Sequence, residues 1–372
     1  MSDDALPEPD RIDGAPHPSE TPVIFGQNRA EAAFLEAYTS GRLHHGWLLT
    51  GPRGVGKATL AWRIAKFLLA TPDADDGGLF GDAPAMPETL DIAPDHPVVR
   101  RMMSGAEGRL FVLRRAVDEK TNRLRAVITV DEARKLKHFF AFSAADGGRR
   151  VVIVDAADEM NVSAANALLK VLEEPPEKTF LILISHQPSR LLPTIRSRCR
   201  ELRLAQLGTD DMARALAEAG VAPDAITPEL LALADGSVGE AVQMLNLDGP
   251  KLYAAILSVL SGMSRFDRAK ALALAEMTAG KGKEDQRALL FHLIDLVLAR
   301  LARTGVLGPG AEAMAGEADL FARLSPTPDR ARAWATTAQE ISDRNQHGLA
   351  VNLDPAALIL DTVFKIHQTA GG

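Results

Sequence analysis

The sequence predicts an α/β domain with a mostly parallel, three-layer sheet, followed by a remainder that is all helical. Three observations carry that expectation. Short apolar strands alternate with helical patterns from Pro22 to about Leu204, the arrangement that puts helices on both faces of a parallel sheet. One of those strands runs directly into a glycine-rich loop that opens a helix. After Gln206 the strand signals stop, and only amphipathic helical spacing continues.

Taken in order, residues 1–20 are rich in Asp, Glu and Pro and poor in large apolar side chains, which predicts a disordered tail. Trp47-Leu48-Leu49-Thr50 is a short apolar strand, and Thr59–Ala70 is a helix with Leu60, Ile64, Phe67 and Leu68 at helical spacing. Thr71–Pro97 is Pro-, Gly- and Asp-rich and reads as an excursion. Further strands are expected at Leu110–Leu113, Val151–Val154, Phe180–Ile184 and Glu201–Leu204. Helices are expected at Val130–Phe142 and at Ser163–Glu174, the latter with Ser163 as N-cap and a stop before Pro175-Pro176. Three short helices, Thr209–Ala219, Thr227–Asp235 and Ser237–Leu247, make a small lid, and longer ones including Lys283–Thr304 and Thr327–Arg344 follow. The expected domains are 21–205, 206–248 and 249–372.

The loop Gly51-Pro52-Arg53-Gly54-Val55-Gly56-Lys57-Ala58 matches the phosphate-binding pattern except at its last position. Gly51, Gly54 and Gly56 suit a backbone that cradles phosphate, and Lys57 suits the β/γ-phosphates. Ala58 has no oxygen for Mg²⁺. Thr59, the neighbouring hydroxyl in the degenerate set, is no substitute, because the next helical residue points about 100° away around the axis. A nucleotide triphosphatase also needs an apolar strand ending in Asp, usually followed by Glu. Val151–Val154 ends in Asp155, but the next residue is Ala156, with Asp158 and Glu159 further on. Asp155 therefore reads either as a strand-end cap or as the remnant of a metal-binding carboxylate. Arg196-Ser197-Arg198-Cys199-Arg200 reads either as a basic surface patch or as an arginine finger acting on another subunit's nucleotide.

Composition bounds the function classes. A net charge of −7 excludes binding nucleic acid by bulk electrostatics, leaving only a local basic face. With Cys199 the single cysteine, neither a disulfide nor a four-thiolate zinc site forms within the chain. No signal peptide or membrane-length apolar run is legible, which makes a cytoplasmic protein the expectation.

Ala164-Ala165-Asn166-Ala167-Leu168-Leu169-Lys170-Val171-Leu172-Glu173-Glu174-Pro175-Pro176 and Ile195-Arg196-Ser197-Arg198-Cys199 together resemble the bacterial clamp-loader subunits of the AAA+ class. So do His44-His45-Gly46-Trp47 and Asn352-Leu353-Asp354-Pro355, and the resemblance covers about 22–365. It implies an AAA+ domain, a helical lid and an all-helical collar that closes a ring of subunits. Motor subunits of that family carry Thr or Ser at the position of Ala58 and Glu at that of Ala156. They carry arginine at the fourth position of the lid motif, where this chain has Gly239 in Gly236-Ser237-Val238-Gly239-Glu240-Ala241.

The resemblance therefore implies a non-hydrolysing stator, with Arg198 in the Ser197-Arg198-Cys199 motif offered to a neighbour's ATP. Implied partners are gamma/tau and delta subunits, the sliding clamp and primer-template DNA, the last met through Lys170 or its neighbours. No cofactor is required, weak ATP or ADP binding is expected, and no zinc, since Thr71–Arg109 offers only His96 among soft ligands. The alternative is a hydrolysing gamma/tau-like motor; a third reading is a nucleotide-gated module unrelated to replication.

Overall fold

The computed structural model describes residues 7–71, 87–142, 148–262, 266–280 and 282–371. The chain divides into two compact units, Met1–Gly220 with Gly236–Gly239, and Val221–Asp235 with Glu240–Gly372. The expected lid, 206–248, is thus shared between them.

The first unit contains helix α1 (Asn28–Thr39), strand β1 (Gly46–Thr50), helix α2 (Lys57–Ala70), helix α3 (Pro97–Met103) and strand β2 (Leu110–Arg114). A two-stranded hairpin, β3 (Val117–Asp118) and β4 (Arg123–Leu124), precedes α4 (Val130–Phe142). Then come β5 (Arg150–Asp155), α5 (Val162–Glu173), β6 (Thr179–Ser185), α6 (Pro193–Arg196), β7 (Arg200–Arg203) and α7 (Thr209–Glu218).

Five strands form one parallel sheet in the order β2-β5-β6-β1-β7. Side chains alternate between its faces. Leu48, Val152, Val154, Leu181 and Leu183 meet Leu136 of α4 and Leu168 and Leu172 of α5 in one buried cluster. On the other side α2 packs against β1, β5 and β6, and Phe34 of α1 meets Trp47 with ring centroids 5.0 Å apart. Parallel strands buried on both faces need continuous apolar runs, which Trp47–Leu49 and Val151–Val154 supply.

The second unit holds α8 (Pro228–Ala234), most of α9 (Val238–Asn246), α10 (Gly249–Ser261), α11 (Arg268–Met277), α12 (Glu284–Leu307), α13 (Glu317–Leu324), α14 (Pro328–Ala350) and α15 (Pro355–Gly371). The long helices α12 and α14 lie along one another, with α15 against α11 and α14. Glu317 is buried among them and fully partnered, accepting from the Tyr253 hydroxyl (2.5 Å) and Ala313 N–H (2.7 Å) and pairing with Arg300 (2.8 Å). A buried carboxylate needs that many partners to be tolerated. Among the described residues no helix is long and apolar enough to cross a membrane.

Two expectations are corrected. The helix of residues 163–174 begins one residue earlier, at Val162, because Asn161 and not Ser163 is the cap: its side chain accepts from Ala164 N–H at 2.8 Å. The disordered tail holds for none of residues 7–20, which pack on the first unit with His17 and Ser19 buried; residues 1–6 lie outside the described residues. Of the 71–109 excursion, 72–86 also lie outside them. The remainder includes α3, whose N-cap is His96, its Nδ1 accepting from Val98 N–H. His96, the candidate soft ligand, is thereby used in capping.

Candidate functional site: a phosphate-binding loop and a distant arginine

The loop leaves β1 after Thr50 and enters α2 at Lys57, as the strand–loop–helix motif requires. Gly51 (φ +141°), Gly54 (φ +68°) and Gly56 (φ +99°) all take conformations that L-residues rarely adopt. At Gly51 a Cβ would also stand 2.4 Å from Leu204 O, and at Gly54 it would stand 2.9 Å from Gly239 Cα. The glycines thus serve close backbone approach within the chain as well as the loop's curvature.

Lys57 is buried, and its ammonium donates to the Gly51 carbonyl (2.7 Å) and to the Pro52 carbonyl. It is folded onto the loop's own oxygens. Burial lowers it to about 8, against the opposing pull of Asp155 and Asp158. Ala58 and Thr59 follow on α2, and Ala58 offers a metal nothing but a methyl group.

Asp155 is the last residue of β5, in register with Arg114 of β2. Burial, reinforced by the charges of Asp10 and Glu159, pushes its carboxyl up to about 7, while Lys57 and Arg114 pull it down. The nearby acids are engaged elsewhere. Asp158 accepts from the backbone N–H groups of His186 (3.0 Å) and Gln187 (3.2 Å). Glu159 pairs with Arg115 (2.7 Å) and Arg53 (3.2 Å). Both carboxylates are thus held by partners within the chain.

The raised Asp155 gives a pH prediction. The folded chain holds a proton that the unfolded chain releases near 3.8, so this group's stabilisation is whole below that value and is lost as pH rises towards about 7. Asp155→Asn should therefore lose less stability than the unaltered chain between about pH 5 and about pH 8. Denaturant unfolding at the two pH values checks this; identical losses would contradict it.

The lid turn closes on the loop. Gly239 N–H donates to Gly54 O at 3.2 Å, and a Cβ on Gly239 would stand 2.9 Å from Gly54 Cα. The missing lid arginine is thus more than an omission: backbone packing leaves no room for any side chain at that position without a shift.

The arginine motif stands at the other end of the sheet. Gly46 opens β1, and a Cβ there would meet Arg198 O at 3.0 Å, Leu172 Cδ2 at 3.1 Å and Cys199 Sγ at 3.4 Å. His45 Nε2 lies 3.0 Å from Leu172 O. The His-His-Gly-Trp block, the end of α5 and the Ser-Arg-Cys block therefore meet in one place. Because Gly46 and Gly51 bracket β1, that place is about 15 Å along the strand from the chain's own loop.

Arg198 Nη2 pairs with Glu173 Oε1 at 2.9 Å, and Nη1 donates to Thr194 O at 3.0 Å, with both charged side chains about two-fifths exposed. Ser197 Oγ donates to Thr194 O, and Arg200 lies over the Trp47 ring, 5.3 Å from its centroid. Cys199 packs against the core, and burial pushes its thiol up to about 12, which leaves it inert at neutral pH. Lys170 is exposed on α5.

Sequence reasoning located Gly51, Gly54, Gly56, Lys57 and Asp155, which the fold brings together, and Arg198, which it sets apart. It missed Glu173 as Arg198's partner and Asp10 and Arg114 beside Asp155. Glu173 was visible only as a helix end, and Asp10 only as part of an acidic tail.

A five-stranded parallel sheet bearing a glycine-rich loop between its first strand and the helix that follows is an α/β domain of the P-loop type. A family model described as "DNA polymerase III, delta subunit" matches residues 26–208. The delta' subunit of Pseudomonas aeruginosa DNA polymerase III is 42% identical over 197 residues, 52% of this chain and 53% of that protein. The gamma/tau subunit of Mycobacterium tuberculosis is 28% identical over 62% of this chain and 37% of its own length. Over residues 26–208 the chain is therefore similar to delta' and gamma/tau subunits of DNA polymerase III. It spans about half the length, or less, of these relatives. Among solved structures, the gamma subunit-related protein of Thermotoga maritima aligns over 91% of this chain and 99% of its own, at 17% identity and a TM-score of 0.42, which carries no argument about function.

Proposed function

We propose that the chain is a delta-prime-type stator of the DNA polymerase III clamp loader, which does not hydrolyse ATP and presents Arg198 to the ATP of an adjacent motor subunit. The observation that carries this reading is the separation of the motif from the loop. Arg198 lies beside Gly46, at the start of β1, whereas the chain's own phosphate site follows the strand's far end. A guanidinium that cannot serve its own loop, but is partly exposed and held by one ion pair, is suited to act in trans. Ala58, Ala156 and Gly239 support the loss of hydrolysis: the metal ligand, the base and the lid arginine are replaced together.

In this role the chain joins gamma/tau and delta subunits in the cytoplasm and helps place the sliding clamp on primed DNA. The helical second unit supplies the ring contacts. Any contact of Lys170 or its neighbours with DNA phosphates carries no sequence preference. Nucleotide is not required, and the loop retains weak ATP or ADP affinity at most. No zinc is expected.

The test is ATP turnover by the purified chain alone. The expected result is none above the uncatalysed background. Turnover comparable to that of a gamma/tau motor would overturn the stator reading and favour the motor alternative.

A further inference from the structure

The segment that composition marks as a disordered tail is fixed across the phosphate site. Glu8 and Asp10 pair with Arg114 at 2.7 and 2.5 Å, and Asp10 also meets His17 Nε2 at 3.1 Å. The His17 ring stands edge-on to Trp62 of α2, with centroids 5.7 Å apart. Further on, Lys66 Nζ donates to Ser19 O at 2.6 Å, and the Arg63 guanidinium donates to Pro22 O. The strap therefore runs along α2, the helix that the loop opens, and its acidic end reaches the tip of β2.

That end lies at the mouth of the site. Arg114 is in register with Asp155, and Asp10 is near enough to raise the Asp155 carboxyl by its charge. Ile12 Cδ1 lies 3.1 Å from where a Cβ on Gly239 would be, and Gly239 itself is backbone-bonded to Gly54. The strap thus links the lid turn, which is itself bonded to the loop, with the strand end that carries Asp155. The Asp10 side chain is only 2% exposed, so its charge is held by ion pairs and not by water.

We propose that Glu8–Thr21 is an intramolecular plug of the phosphate-binding loop, whose acidic side chains hold the cleft closed against the phosphates of a nucleoside diphosphate. The plug does not depend on the chain's role in a clamp loader, and it is tested on the isolated chain. A binding site that is open only in a minor fraction of molecules has its apparent affinity reduced by that fraction.

The experiment compares the full chain with a Glu8→Ala/Asp10→Ala/Ile12→Ser variant, each titrated calorimetrically with ADP. No divalent cation is added, because Ala58 offers it no ligand. The variant is expected to bind ADP at least about tenfold more tightly. Lys66→Ala, which loosens the other end of the strap and leaves the acidic end intact, should shift affinity in the same direction. On the unaltered chain, saturating ADP should increase amide hydrogen exchange in residues 8–21. Equal affinities in all three chains, no heat from any of them at millimolar ADP, or ADP binding that leaves exchange in 8–21 unchanged would each overturn the plug.

Discussion

Replacing Arg198 by alanine in a reconstituted loader should lower ATP hydrolysis at the site it faces by on the order of a thousandfold, the usual worth of an arginine finger. The size of the effect follows from chemistry, not stability. A guanidinium placed on the γ-phosphate would offset charge that develops in the transition state, in addition to what the partner's own loop lysine and Mg²⁺ supply. The isolated chain should lose little. The Arg198–Glu173 pair is partly exposed, and pairs of that kind contribute about 1 kcal/mol or less. The same weakness lets the guanidinium leave Glu173 for a triphosphate. Arg198→Lys should not rescue, because a point charge on a flexible stem does not reproduce the planar fork. Partner turnover and the melting temperature of the isolated chain, measured together, separate the two roles; a large loss of stability with unchanged partner turnover would refute the finger.

The second large effect is expected at Gly54. Its φ of +68° is unfavourable to any other residue, and a Cβ there would stand 2.2 Å from Ser237 Oγ, 2.8 Å from Gly239 N and 2.9 Å from Gly239 Cα. Two of those three atoms are backbone and cannot rotate away. Gly54→Ala should destabilise the chain by about 2–4 kcal/mol, from the combined strain of a positive φ and a backbone clash. Denaturant unfolding checks the value, and a loss below about 1 kcal/mol would mean that the lid turn does not rest on the loop. The same contact predicts that restoring the motor-type arginine at 239 does not by itself restore a motor: its Cβ has no space unless the turn moves away from Gly54.

What was legible in the sequence is what local patterning encodes. The four apolar strands β1, β2, β5 and β6, the glycine loop and the helical remainder follow from runs and spacings within a few residues of one another. Helices α1 and α3 and the β3–β4 hairpin were not anticipated; the hairpin strands are two residues each, and α3 is seven residues inside a Pro-rich stretch. The strap was misread for a different reason. Acidic, proline-rich composition predicts disorder when the chain has only itself to pack on. Here Arg114, Trp62 and Lys66, far along the sequence, supply the partners. Likewise Gly239 read as an absent arginine, and only the fold reveals that the glycine is needed for Gly54. The distance between Arg198 and the loop was implicit in their placement at opposite ends of parallel neighbours β7 and β1, but pairing of those two strands cannot be read from either alone.

The central claim is that this chain's contribution to ATP hydrolysis resides in Arg198 and not in its own loop. The most direct measurement is the ATP turnover of one reconstituted loader carrying, in turn, the unaltered chain, the Lys57→Met chain and the Arg198→Ala chain. Turnover that persists with Lys57→Met and collapses with Arg198→Ala is the predicted result; collapse with Lys57→Met, or persistence with Arg198→Ala, would contradict it.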